Sequence, residues 1–355
     1  MARLLVVVAA LLAGVFARSG PLRGPIDVGA RRAVVGRALP DPAPVPIPRP
    51  IGALLGVAYY TDAHHSVADP VSKEKNQEAF VPLRAFVRQV TDLGDRWMES
   101  RPAKPAYAVR ALELLAVWAR AGALLGATNQ QGEYEREWTL GSLALAYLRL
   151  RDAPGLDRAA GNDVESWLVK IAEVVRTSYG RAGRASSANN HAYWVGLAVA
   201  AAGAAAQDRA LFDWGLSRAR VGIAQIRPDG FLPLELERRG LALHYHLFAL
   251  APLVMLAELA GANGVDLYKE GDGAIRRLAD RVIEGLGDPA AFVAAAGTAQ
   301  EVKRPPRGPD LAWAEAYYAR FHDRRLVPLL EAARPLRDDR LGGDLTLAFG
   351  VPNLK

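Results

Sequence analysis

The chain has 355 residues, 51% of them hydrophobic, which is ample for one large core or two smaller ones. Forty-four Lys and Arg against 38 Asp and Glu leave a net charge of +6; this suits an acidic partner, but without a block of consecutive basic residues it lacks the footprint of a nucleic-acid binder. There is no cysteine, so disulfides and thiolate chemistry are excluded.

In chain order, Arg3, the apolar run Leu4 to Leu12 and the small-residue stretch Val15-Phe16-Ala17 predict a secretory signal peptide over residues 1–17. This leader is too short to span a bilayer, and no later run reads as long and apolar enough to cross one without charges. The mature chain is therefore expected in the periplasm or outside a bacterium, with no membrane span. Residues 18–50 carry Gly20, Pro21, Gly24, Pro25 and then alternating prolines from Pro40 to Pro50. Proline lacks an amide donor and fixes its own φ, so the segment predicts an extended lead-in outside the core. Residues 51–355 remain as a single domain.

From about residue 72, apolar residues recur at three- and four-residue steps. This predicts helices over 82–98, 106–125, 138–151, 164–179, 192–207, 211–226, 241–260, 273–284, 311–321 and 326–333. The connections carry Gly, Asn, Asp and Pro. Residues 345–349 are the one late strand candidate. Helices of similar length joined by short loops pack as antiparallel hairpins, and such hairpins curl into a toroid or a superhelix. The fold class is all-α, without a strict repeat that would choose between the two.

Three clusters set polar groups beside apolar helices. In the first, Asn189-Asn190-His191-Ala192-Tyr193-Trp194 opens an Ala-rich helix. Asn189 is a natural cap, but capping leaves a second amide and an imidazole at a helix mouth that favours anions. In the second, running from Glu235 to His246, a helical reading puts Arg238 and Tyr245 on one face, two turns apart. A plainer reading makes these a solvated Arg and a core Tyr. His244 and His246 would point apart on a helix and have no acidic companions, so metal ligation is not expected. The third, Tyr59-Tyr60-Thr61-Asp62-Ala63-His64-His65, precedes the helices in a loop, either functional or an ordinary surface turn.

The stretch Asn189-Asn190-His191-x-Tyr193-Trp194, with Arg238 and Tyr245 about fifty residues on, resembles the alginate lyase family, polysaccharide lyase family 5. The likeness runs in order from about residue 57 to 325. It includes Tyr60-Thr61-Asp62-Ala63, Asp69-Pro70, Pro82-Leu83-Arg84-x-Phe86, Trp118-Ala119-Arg120-Ala121-Gly122-Ala123-Leu124, Gln131-Gly132-x-Tyr134, Trp138 and Trp313-x-Glu315-x-Tyr317-Tyr318-x-Arg320-Phe321. The resemblance implies an incomplete (α/α) toroid with a substrate cleft under a mobile loop. It also implies that Asn190, His191 and Arg238 hold a substrate carboxylate while Tyr245 acts at the glycosidic bond. The chain departs from the family at Arg238-Arg239-Gly240-Leu241, where Arg-Gly-x-Arg is common. It departs again at Tyr245-His246-Leu247-Phe248, where Tyr-His-Asn-Tyr is common. These changes bear on substrate choice.

Removing the C5 proton of a uronate adds charge to a group already anionic, so donors aimed at the carboxylate are required, worth ~3–4 kcal/mol each. Asn190, His191 and Arg238 are suitable. Tyrosine is a poor base unless a neighbouring cation favours its phenolate. On mannuronate or glucuronate, where the C5 proton and the C4 oxygen share a ring face, Tyr245 alone serves as base and acid. On guluronate His191 would be the second residue. Tyr60, Trp138 and Trp194 are candidate platforms for sugar rings, with core packing the plainer role for the tryptophans, and Asn189, Arg239 and His246 are further candidate substrate contacts. Neither metal nor cofactor is expected, and the expected partner is an anionic polysaccharide, polymannuronate first and a glucuronate polymer next. A glycoside hydrolase would need two carboxylates across the bond; Glu235, Glu237 and Asp62 form no such pair in sequence. A non-catalytic sugar-binding protein would tolerate loss of Tyr245.

Overall fold

The computed structural model describes residues 20–44, 46–180, 185–301, 306 and 308–355; the expected leader lies outside the described residues. The helices are α1 (Val28–Val35), α2 (Pro70–Ala79), α3 (Val81–Glu99), α4 (Ala106–Arg120), α5 (Gln130–Leu150), α6 (Arg158–Tyr179), α7 (Asn190–Ala206) and α8 (Arg209–Gln225). They continue with α9 (Pro233–Leu236), α10 (Ala242–Gly261), α11 (Glu270–Gly287), α12 (Ala290–Ala296), α13 (Gly308–Leu311), α14 (Trp313–Phe321), α15 (Val327–Ala333) and α16 (Leu345–Phe349).

Four hairpins, α3–α4, α5–α6, α7–α8 and α10–α11, carry the architecture. The first member of each forms an inner wall: α3 packs on α5, α5 on α7 and α7 on α10, while α4, α6, α8 and α11 lie outside. The ring is incomplete between α10 and α3. There the C-terminal segment fills in, with α14 against α10 and α16 against both α14 and α3. The protein is thus an incomplete (α/α) toroid.

Composition differs between the layers. The inner helix α7 is buried on nearly every side and built of Ala, Gly, Val and Leu, whereas the outer helices α6 and α11 are two-faced, as is α3 at the open end of the inner wall. Small residues let α7 and α8 meet backbone to backbone: a Cβ on Gly215 would lie 2.5 Å from the Gly196 carbonyl oxygen. The inner helix α10 has the length and mean hydropathy of a membrane-spanning segment over Arg239–Gly261, contrary to the expectation from sequence, but 78% of that window is buried inside the fold. Its apolarity is that of an inner wall flanked on both sides.

The lead-in differs from the expectation in two ways. Asp27 caps a helix, α1, by accepting from the Ala30 amide, and Leu22 is buried in the core. The Leu22 amide and carbonyl are held by the Gln207 and Arg151 side chains, and Arg31 donates to the carbonyls of Thr346 and Leu347. The segment is a belt tied across helix ends rather than a free linker. Residues 345–349 are also not a strand. Asp344 accepts from the Leu347 amide and starts the helix α16. The short ladder lies just before, pairing Arg337–Asp338 (β1) with Gly343–Asp344 (β2).

Candidate active site

The N-terminal ends of α5, α7 and α10 open on one cavity of about 660 Å³. Three helix N-termini turn their positive dipole ends toward it, which favours an anion. From α5 come Gln130, Gln131, Tyr134 and Trp138; from the mouth of α7, Asn189, His191 and Trp194; from α10 and its approach, Arg238, His244, Tyr245 and Phe248. Arg340 enters from the turn between β1 and β2, and Tyr59, Tyr60 and His65 close over the top.

The roof is a hairpin. The Thr61 amide donates to the Val67 carbonyl and the Asp69 amide to that of Tyr59. The Asp62 carboxylate gathers the amides of His64, Ser66 and Val67 and the Ser66 hydroxyl; these bonds hold its pKa at about 2. The strap below this hairpin runs along the start of α5, where Leu54 bridges to Thr128. Gly132 makes that approach possible, because a Cβ there would meet the Leu54 carbonyl oxygen at 1.8 Å. The Tyr60 hydroxyl reaches the Tyr245 hydroxyl at 2.5 Å, and the Arg238 guanidinium spans 3.4 Å to the His64 carbonyl.

Tyr245 is buried at the centre. Burial pushes its phenol well above the ordinary tyrosine range, the neighbouring Tyr60 adds to this, and Arg238 acts in the opposite direction. The sequence reading, in which a nearby cation tips the balance to phenolate, is therefore reversed in its net sign: desolvation outweighs the Arg238 guanidinium 4.4 Å above the ring. His191 lies flat on Tyr134, with ring centres 3.8 Å apart, and its Nδ1 is 3.9 Å from a Glu137 carboxylate oxygen. The ring is thus clamped by stacking and faces a buried carboxylate. Trp194 and Phe248 make a wall with ring centres 5.0 Å apart, and the Arg340 guanidinium sits about equally above both, at 5.3 and 5.1 Å.

Of the residues expected from sequence, His191, Arg238, Tyr245, Tyr60, Asn189, Trp138 and Trp194 share this cavity. Three do not line it. Asn190 is fully buried beneath the cavity, where its backbone amide and side-chain amide donate to Glu235 at 2.8 and 3.0 Å. Arg239 adopts a left-handed backbone, φ 51°, and its side chain points to solvent. His246 is a core residue: its Nε2 accepts from the Leu232 amide and its Nδ1 faces the Ala242 carbonyl, so both ring nitrogens are committed to backbone. That geometry requires the neutral ring, and burial lowers its pKa to about 4. A His one step after a cavity residue on a helix turns about 100° away from it.

Sequence reasoning missed Arg340, His244 and Lys73 as wall residues. Phe248, one of the departures from the family that bear on substrate choice, lines the wall three residues after Tyr245 on the same helix face. The carboxylates weighed for hydrolysis are elsewhere employed: Glu235 is buried off the wall, Glu237 is exposed and Asp62 holds the roof turn. Among the described residues no His, Asp and Glu side chains gather into a metal-ligating group.

An incomplete (α/α) toroid with an aromatic-lined cleft that holds Arg238 and His191 under a hairpin roof is the framework of a class of polysaccharide lyases, and comparison with known proteins makes the assignment specific. Residues 55–292 match the alginate lyase family. A polysaccharide lyase from Stenotrophomonas maltophilia is 40% identical over 310 residues, covering 86% of this chain and 89% of its own. An alginate lyase from Azotobacter vinelandii is 36% identical over 337 residues, 92% of this chain and 87% of its own. Among solved structures, a tyrosine-to-phenylalanine variant of alginate lyase A1-III complexed with tetrasaccharide superposes with a TM-score of 0.84 at 29% identity, covering 95% of this chain and 97% of that one. The chain belongs to the alginate lyase family and is a polysaccharide lyase enzyme.

Proposed function

We propose that the enzyme cleaves a polyuronate, mannuronate-rich alginate first, by β-elimination, leaving an unsaturated uronate on the new non-reducing end. The observation that carries this is the meeting of Tyr245, Arg238 and His191 in one cavity at three helix N-termini. The anionic sugar sits with its carboxylate toward Arg238 and His191, whose positive or donor character strengthens as charge builds in the enolate-like transition state. The Tyr245 phenolate takes the C5 proton. The electron pair forms the C4–C5 double bond, the C4–O bond breaks, and the same phenol returns its proton to the departing oxygen, so the residue ends each cycle as it began. Arg238 above the ring favours the phenolate within a site where burial, with Tyr60 adding to it, opposes it. One tyrosine serves both steps on mannuronate, where proton and leaving oxygen share a face.

That the Azotobacter vinelandii relative and the A1-III enzyme are alginate lyases supports alginate. A glucuronate polymer, whose C5 proton and C4 oxygen also share a ring face, is the second candidate. The apolar N-terminal leader supports an exported enzyme, which the mass of the chain recovered from the periplasm tests. The deciding experiment is a panel of polymannuronate, polyguluronate and polyglucuronate assayed for ultraviolet absorbance of the new double bond. Absorbance with polymannuronate is the expected result; reducing ends formed without it would mean hydrolysis and end the lyase reading.

A further inference from the structure

Glu235 is a fully buried carboxylate that does not reach the cavity, yet it touches Arg238, which lines it, and Asn190, which stands beneath it beside the lining His191. Its Oε1 accepts the Asn190 backbone amide at 2.8 Å, and both oxygens accept the Asn190 side-chain nitrogen at 3.0 Å. Its Oε2 lies 3.8 Å from Arg238 Nε, three residues on. The Asn190 Oδ1 is buried without a hydrogen-bond partner, so nothing on its far side fixes the rotation of that amide. A carboxylate offers acceptors only; it forces Asn190 to turn its NH2 edge toward Glu235, and it pulls Arg238 by charge from the same point.

Resting on the lyase reading above, we propose that Glu235 is a positioning residue for the elimination: through Asn190 it holds the first turn of α7, which carries His191, and it sets the place of the Arg238 guanidinium, both relative to one substrate carboxylate. The carboxylate works from behind, through two groups on neighbouring elements, the first turn of α7 and the segment between α9 and α10. A buried charge is costly unless it is paired, and among the hydrogen bonds and ion pairs described for it the partners are Asn190 and Arg238. An isosteric amide at this position would keep the volume but place an NH2 against the NH2 of Asn190. It would also remove the charge facing Arg238.

The test is Glu235→Gln, with Glu235→Asp as a second variant that keeps the charge but shortens the reach. Both are checked for folding by circular dichroism and assayed for unsaturated product on polymannuronate. The expected result is a folded Glu235→Gln enzyme with kcat down about 10²-fold, in the range for losing one aligned donor, and KM changed by less than about fivefold. The Asp variant is expected between it and wild type. In the double-mutant cycle with Asn190→Ala, the loss from Glu235→Gln shrinks to about tenfold or less, because one route of its action is already gone. A folded Gln variant with kcat within about threefold of wild type overturns the proposal, as does full additivity in the cycle. If the Gln variant does not fold, an Asp variant as active as wild type overturns it equally. Wild-type enzyme that yields no unsaturated product overturns the lyase reading itself, an outcome distinct from these.

Discussion

Tyr245 and His246 are adjacent on α10 and have opposite fates. Tyr245 meets Tyr60 across the cavity, while His246 is sealed among Phe231, Phe292 and backbone. For Tyr245 we predict that Tyr245→Phe, which keeps the ring and its packing on Arg238, lowers kcat by at least about 10²-fold, in line with loss of a general acid–base group. Because its folded pKa is raised, the competent phenolate grows with pH, so kcat/KM should climb from neutrality to at least about pH 9 without a plateau. A flat profile over that range would remove Tyr245 as the base. For His246 the sign runs the other way. Its folded pKa is about 4 against roughly 6.5 unfolded, so the unfolded chain binds the extra proton between those values and stability is lost as pH falls through that window. Urea unfolding should show about 2 kcal/mol less stability at about pH 5 than at pH 7 from this residue. The His246→Leu variant, less stable at pH 7 by roughly 2–3 kcal/mol through its two orphaned backbone groups, should lose that part of the slope.

At the scale of elements, the segment that brings Arg340 to the cavity is held by charge. Asp95 on α3 accepts from Arg149 of α5 at 2.6 Å, from Arg337 of β1 at 2.7 Å and from the Asp344 amide at 3.0 Å. Arg149 is itself buried. Removing one partner strands a buried charge, so Asp95→Ala should destabilise the protein by about 3–5 kcal/mol in denaturant unfolding. It should also raise KM, as the β1–β2 turn and Arg340 lose their anchor; an unchanged midpoint would contradict this account. Here sequence and structure part for identifiable reasons. The start of α5 is missed by periodicity because its first two turns carry Gln130, Gln131, Glu133 and Tyr134, which face the cavity, so the helical face there is not marked by apolar residues. Leu345 to Phe349 alternates like a strand, but the Asp344 cap makes it a helix. By contrast α3, α7 and α8 begin and end close to where spacing and capping residues place them, since those signals are local.

For the whole molecule, the excess of Lys and Arg acts with three helix dipoles on one cleft. Association with a polyanion should therefore weaken with salt: KM for polymannuronate is expected to rise severalfold between low and physiological ionic strength while kcat stays nearly constant. A salt-independent KM would mean that charge plays no part in capture. The amino-acid sequence by itself determined the all-helical class and the succession of hairpins, and it singled out His191, Arg238 and Tyr245, which share one cavity, because helix periodicity, capping and short motifs are written in neighbouring residues. Only the tertiary structure decided that Asn190 stands behind the wall and not in it, that His246 is core, that burial outweighs Arg238 at the Tyr245 phenol, and that Arg340 reaches the cleft. Each of these depends on which atoms from distant parts of the chain exclude water around a group, and desolvation is a property of that enclosure rather than of any stretch of sequence.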